Sequence, residues 1–264
     1  MDVRPVGIFD SGFGGLTVLR AITDLLPDED LVYFGDSARY PYGPKDRRDV
    51  IAYSLEIAHY LVDYYNIKML VVACNTASAF ALGSLVDAFD IPVVGMIEPG
   101  ARALASNGVG EEIGVIGTVG TISSGSYQER LALLAPNKRL TCAATPGFVE
   151  FVERGEVDSD QLDILAERLL RPILDAKVES LLLGCTHYPF LARAIHRVLG
   201  SNVLLVASSE ETAFQVRKDL ISSNAIGLPD AQGNVTYITS GDVAEFQRIG
   251  NSLLGIELTD VKQP

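Results

Sequence analysis

Two cysteines in this 264-residue sequence stand where an apolar run of strand character gives way to polar residues: Cys74 in "LVVACNTAS" and Cys185 in "LLLGCTHYP". Each is followed by a polar pair containing threonine, and the two lie 111 positions apart. A second matched pair, "VGIFDSGFGG" and "IGVIGTVGTI", places Asp10 and Thr118 108 positions apart. Two pairs offset by nearly the same amount suggest that one βαβ arrangement is used twice, with each copy presenting a thiol. A pseudo-twofold relation between the copies would set the two sulfurs face to face. A thiol with a reference pKa of about 8.5, lowered by a helix N-terminus or a basic partner, is thiolate or thiol near neutral pH. Two opposed groups of this kind suit inversion of a stereocentre that bears a hydrogen. One removes the proton from one face, the other delivers a proton to the opposite face, and they exchange roles in the reverse reaction.

The α-proton of an amino acid is very weakly acidic, so such a site must stabilise a carbanion with positioned donors and exclude water. The Asn, Thr and Ser side chains beside these strand ends can supply the donors. No lysine lies in any of these clusters to form a Schiff base with pyridoxal phosphate, so a cofactor-free site is the simpler expectation.

The elements that must position these residues are legible as an alternation. Strands are expected at "VGIFD", "LVYFGD", "MLVVAC", "IPVVGM", "IGVIGT", "SLLLGC", "NVLLVAS" and "VTYITS". Helices are expected at roughly 14–26, 45–65, 76–88, 123–134, 160–176, 189–199, 209–222 and 242–253, with Pro189 suited to a first helical turn. Apolar runs separated by helix-length segments indicate parallel strands joined by right-handed crossovers, an α/β class. In such sheets ligands lie beyond the carboxyl ends of the strands. Those ends carry Asp10-Ser11, Asp36-Ser37, Cys74-Asn75-Thr76, Thr118, Thr121 and Cys185-Thr186-His187.

Composition narrows the partners. The formal net charge is −13 and no Lys/Arg-rich segment interrupts it, which argues against a nucleic-acid backbone or an anionic membrane and favours a small molecule. Neither an export signal nor an apolar span of membrane length is evident, so a cytoplasmic location is expected. The third cysteine, Cys142 in "LTCAAT", reads as packing. No CxxC pair occurs and the histidines are scattered at His59, His187 and His196, so no metal site is expected.

Taken in order, "GIFDSGFGGLTV", "YFGDSARYPYG", "VVACNTAS", "GVIGTVGTI", "FVEFVERG" and "LLLGCTHYPFL" resemble the motifs of bacterial glutamate racemase, within the cofactor-independent aspartate/glutamate racemase superfamily. The matches run from Gly7 to about Ala213. The resemblance implies interconversion of L- and D-glutamate without cofactor, supplying D-glutamate for peptidoglycan. It implies two pseudosymmetric α/β domains with mainly parallel sheets and the site between them, the first about 1–97 plus 207–264 and the second about 98–206. It further implies that Cys74 acts on the D-enantiomer and Cys185 on the L-enantiomer. Asp10 then assists Cys74, while His187 and Glu153 support the Cys185 side. Substrate is held by Ser11, Asn75, Thr76, Thr118, Thr121 and Thr186, and a carboxylate is received at the Pro41-Tyr42-Gly43 turn. A homodimer is implied as well.

The departures are small. Thr145 precedes Pro146 where the family usually has Cys-Pro, so that position reads as structural, and Ser37 stands where Thr is commoner. Some members carry an N-terminal extension linked to activation by a peptidoglycan precursor. Six residues precede Gly7 here, so that control is not expected.

Other readings of the same residues stay open. Asp10 also suits a helix cap, His187 a helix start and Glu153 a solvated helix end. Tyr33, Tyr40, Tyr53 and Tyr60 read as core or surface. A hydrolase or lyase using one nucleophilic cysteine with His187 remains an alternative, although it gives Cys74 no role. Some family members also affect DNA gyrase, and nothing in this sequence marks a surface for that. Glutamate is preferred to aspartate on the resemblance alone.

Overall fold

Strands form where the sequence is apolar on both faces. In a computed structural model, which describes residues 2–228, 232–255 and 257–264, these are β1 (Val6–Asp10), β2 (Leu31–Gly35), β3 (Met69–Val72), β4 (Val93–Gly95), β5 (Glu112–Gly117), β6 (Arg139–Ala144), β7 (Ser180–Gly184), β8 (Leu204–Ala207) and β9 (Val235–Thr239). Between them run α1 (Leu16–Leu25), α2 (Arg47–Tyr65), α3 (Asn75–Ala88), α4 (Ile97–Asn107), α5 (Val119–Ser123), α6 (Ser126–Leu134) and α7 (Phe148–Glu153). The later helices are α8 (Asp160–Leu169), α9 (Arg171–Asp175), α10 (Ala192–Leu199), α11 (Ser209–Ser222) and α12 (Val243–Leu254), with a 3-10 turn at Tyr188–Leu191 that holds Pro189 in its first turn.

The strands form two sheets, ordered β4-β3-β1-β2-β9 and β6-β5-β7-β8, with every pairing parallel. Read in reverse, the second sheet is β8-β7-β5-β6, which matches β4-β3-β1-β2 strand for strand. The strand before Cys74 (β3) thereby corresponds to the strand before Cys185 (β7), and β1, ending in Asp10, corresponds to β5, which precedes Thr118. The repeat read from sequence offsets is thus present as a repeated sheet order, with β9 added to the first copy.

Helices cover both faces of each sheet, which is why β1, β2, β3 and β7 are buried at every residue. On the first sheet one apolar layer gathers Leu16, Leu19, Ile22, Val216 and Phe246, and the opposite layer gathers Val50, Ile57, Leu61, Ala77 and Leu85. On the second sheet Phe148, Leu162, Ile173 and Ile195 form one layer, and Ala101, Leu104, Tyr127 and Leu131 the other. Among the described residues no helix is long and apolar enough to cross a membrane.

Two elements were not foreseen as such, and two expected helices are each divided. The strand β6 was not foreseen because it lies at a sheet edge, half-exposed and begun by Arg139, so it lacks a continuous apolar run. The helix α4 was hidden by Pro99-Gly100. Proline in a first turn forfeits no helical hydrogen bond, and a Cβ at residue 100 would come within 2.9 Å of the Tyr127 hydroxyl and 3.1 Å of Ser208 Cβ, so close packing accounts for the glycine. The expected helix 123–134 is divided at Gly125, where φ is 75°, and 160–176 is divided before Pro172.

Candidate active site

The carboxyl ends of β1, β3 and β7 converge with the loop after β2 on one enclosed chamber. Its walls include Asp10, Ser11, Cys74, Asn75, Thr76, Thr118, Cys185, Thr186 and His187, together with the turn Tyr40–Gly43 and Val149. The free space is small, about 20 Å³. A larger surface cavity of about 430 Å³ between α1, α11 and Phe190 contains neither cysteine.

Cys74 leaves β3 and caps α3, its sulfur accepting from the Ala77 N–H at 3.4 Å and lying 3.6 Å from Ser11 Oγ. Burial, and then the neighbouring Asp10 charge, push its thiol up to about 12, against the opposing pull of the Ala77 and Ser11 contacts. At neutral pH Cys74 therefore carries its proton. Asp10 is itself buried and pushed up by desolvation, offset by His187 and by the N–H groups of Gly15, Gly12 and Ser11. Its Oδ2 accepts from the Gly12 N–H at 3.0 Å, so Asp10 shapes the loop as well as standing beside Cys74.

On the other side, Cys185 Sγ lies 3.7 Å from His187 Nδ1, and His187 Nε2 lies 3.0 Å from Glu153 Oε1. Burial works to lower the imidazole, but its hydrogen bonds to Cys185 and Glu153 outweigh that and raise it to about 10. His187 is thus cationic at neutral pH. Glu153, at the end of α7, is not a solvated helix end: its side chain is only 10% exposed. It reaches the chamber through His187.

The folded value of about 10 lies above the ordinary 6.5, so the folded state holds this proton more tightly. The stabilisation is complete below about pH 6.5, declines as pH rises toward 10 and is gone above it. Urea titrations at pH 6, 8 and 10 should therefore show wild-type stability falling across this window, and a Glu153→Gln variant, deprived of the carboxylate partner, falling less steeply.

The polar wall is built by residues from both halves. Thr76 Oγ1 is 2.8 Å from Thr118 Oγ1 and 3.2 Å from Thr121 Oγ1, and Thr118 and Thr121 are 3.0 Å apart. Thr121 is fully buried behind the other two and does not line the chamber. The Gly120 N–H donates to Gly43 O at 2.9 Å, joining the Tyr40–Gly43 turn to α5. That turn is anchored by buried Asp36, which accepts from Arg39 Nε at 2.7 Å, from Ser240 Oγ at 2.6 Å and from the Tyr42 hydroxyl.

Gly14 packs its Cα against the opposite half. A Cβ there would collide with Thr186 Oγ1 and His187 Nδ1. Gly14→Ala should lower turnover about 100-fold by displacing the His187 ring, since a 1 Å misplacement can cost that much; steady-state kinetics beside a thermal melt check it.

The structure brings together Asp10, Ser11, Pro41, Tyr42, Gly43, Cys74, Asn75, Thr76, Thr118, Cys185, Thr186 and His187, and places Glu153 and Thr121 immediately behind them. Cys142 lies half-buried on β6, outside this set. Sequence reasoning missed Tyr40 and Val149 as walls. It treated Tyr40 as core or surface, and Val149 carries no signal beyond its apolar character. Tyr33 is core, its hydroxyl donating to Gly12 O at 3.0 Å.

Residues 14–213 match the family model described as Asp/Glu/Hydantoin racemase. The chain belongs to this family, among the glutamate racemases. It is 47% identical over 263 residues to the glutamate racemase of Geobacter metallireducens, covering 100% of this chain and 97% of that relative. The structure is similar to that of a glutamate racemase isoform from Bacillus anthracis, with a TM-score of 0.92 at 36% identity, covering 100% of this chain and 97% of the other. It is similarly close to the Francisella tularensis glutamate racemase in complex with D-glutamate, with a TM-score of 0.92 at 30% identity, covering 100% and 98%. An amino-acid racemase is an isomerase, and the chain is one.

Proposed function

We propose that this racemase interconverts L- and D-glutamate by a cofactor-independent mechanism with two cysteine acid/base groups, and supplies D-glutamate for peptidoglycan synthesis. The observation that carries the mechanism is the placing of Cys74 and Cys185 in the wall of one chamber, each at the end of the corresponding strand of a repeated sheet. Glutamate as substrate rests on the kinship with glutamate racemases at 47% identity over the whole chain.

In the L-to-D direction Cys185 takes the α-proton and Cys74, held as a thiol by burial and by Asp10, gives one to the opposite face. The His187–Glu153 pair supports the Cys185 side. Donors from Ser11, Asn75, Thr76, Thr118, Thr121 and Thr186 and the Pro41-Tyr42-Gly43 turn hold the carboxylates, Thr121 acting through Thr76 and Thr118. The N-terminus of α3, presented to the chamber at Asn75, favours negative charge there. A free space of about 20 Å³ takes one or two water molecules, so glutamate enters by parting the chamber walls.

The same reading divides the chain into residues 1–97 plus 207–264 and residues 98–206; residues 1, 229–231 and 256 of the first part lie outside the described residues. It places the enzyme in the cytoplasm as a homodimer. The test is to incubate the protein, without added cofactor, with each enantiomer of glutamate and of aspartate and to follow optical rotation. Loss of rotation with glutamate and not aspartate supports the reading. Activity on aspartate alone would contradict it.

A further inference from the structure

Among the described residues, two buried donors in the chamber wall have no hydrogen-bond partner in the fold, the Tyr40 hydroxyl and the Asn75 amide. Asn75 is 2% exposed and lines the chamber, and its Nδ2 has no hydrogen-bond partner among the described residues. Its other terminus is fixed: the Tyr127 hydroxyl donates to Asn75 Oδ1 at 2.7 Å. Tyr127 comes from α6, which packs on the second sheet, whereas Asn75 opens α3 on the first. The contact therefore spans the two halves.

Resting on the glutamate racemase reading above, we propose that Tyr127 is a positioning residue that holds the Asn75 carboxamide with its NH2 group turned to the substrate carboxylate.

The physical argument concerns which way an amide faces. A carboxamide has a donor end and an acceptor end, and only the donor end can pair with a carboxylate. Presenting the oxygen instead would set a partial negative charge against the substrate and leave the NH2 group against the phenol. The phenol's own donor role is specified from behind. Burial pushes the phenol up, and Ser208, which borders the same space at Gly100, opposes that, the direction expected of a donor to the phenol oxygen. That leaves the phenol proton for Asn75 Oδ1. The Tyr127 ring is fully buried, with Gly100 directly beneath its hydroxyl, where a Cβ would come within 2.9 Å. A phenol so enclosed has one place to send its proton, and the amide it fixes has one free end.

The test compares wild type with Tyr127→Phe, Asn75→Ala and the double variant, using L- and D-glutamate as substrates. Tyr127→Phe should raise KM for both enantiomers about five- to tenfold, with kcat changed little, because one charge-assisted contact to the substrate is lost or misaimed. In the Asn75→Ala background the same change should leave KM unmoved, since no amide remains to orient. Ser208→Ala provides a variant less exposed to misfolding and should raise KM about two- to threefold in the same sense. An unchanged KM in folded Tyr127→Phe, or in Ser208→Ala should Tyr127→Phe fail to fold, overturns the proposal. So does an effect of equal size with and without Asn75. If wild type fails to racemise glutamate, the reading beneath the proposal falls with it; if wild type is active and KM is unmoved, only the proposal falls.

Discussion

Replacing either Cys74 or Cys185 by serine should abolish racemisation, lowering kcat/KM by about 10³-fold or more, because a hydroxyl neither ionises near neutral pH nor replaces a thiol as a proton carrier. The two variants should differ in what survives. With Cys185 intact, Cys74→Ser can still remove the α-proton of L-glutamate and return one to the same face, so slow exchange with solvent deuterium is expected in L-glutamate alone. Cys185→Ser should show the complementary exchange, in D-glutamate alone. Proton NMR of each enantiomer incubated in D2O reads both outcomes. Exchange of both enantiomers by one variant would mean that the surviving thiol serves both faces. Near-normal racemisation in either variant would return attention to the single-nucleophile alternative.

His187→Asn should be the next most damaging change. The imidazole is buried between Cys185 and Glu153 and held as a cation by both, at about 10. Its removal leaves the Cys185 sulfur without the cationic imidazole at 3.7 Å and Glu153 without its hydrogen-bond partner in the chamber wall. A loss of about 100-fold in kcat/KM is expected, within the range ascribed to a positioned acid/base partner. The two enantiomers have equal free energy, so kcat/KM must fall by the same factor in both directions whatever the residue does. Any bias toward the L-side shows only in kcat and KM taken separately for each enantiomer. A variant with wild-type kcat in both directions would assign His187 to packing.

The cysteines were legible in the sequence because they interrupt an expected pattern. Apolar strands of a doubly covered parallel sheet end at a sharp boundary, and a reactive side chain at that boundary has few structural reasons to recur at a fixed offset. Asp10, Asn75, Thr76, Thr118, Thr186 and His187 are legible for the same reason, since each lies within four residues of a strand end. The matching sheet orders show why the offsets agree. What escaped was what the tertiary structure alone decides. The edge strand β6 pairs on one side only and is half-exposed, so its composition gives no strong period. Gly100 looks like a helix breaker until Tyr127 and Ser208 are seen to occupy the space of its missing side chain. Tyr40 becomes a wall of the chamber because the buried Asp36 hydrogen bonds fix the loop that carries it. Glu153 was named through the family resemblance, but its residues alone suit a solvated helix end as well, and only α7 turns it inward onto His187.

The central claim is that two separate thiols act on opposite faces of one carbon, and the early course of deuterium incorporation tests it most directly. Wild-type protein would be given L-glutamate in D2O and quenched while only a few per cent has turned over; substrate and product enantiomers would then be separated, and α-deuterium measured in each. Two thiols predict deuterium in essentially all of the D-glutamate formed, well ahead of its appearance in the recovered L-glutamate. Deuterium entering both enantiomers at the same rate from the outset would show a single group serving both faces and would contradict the account.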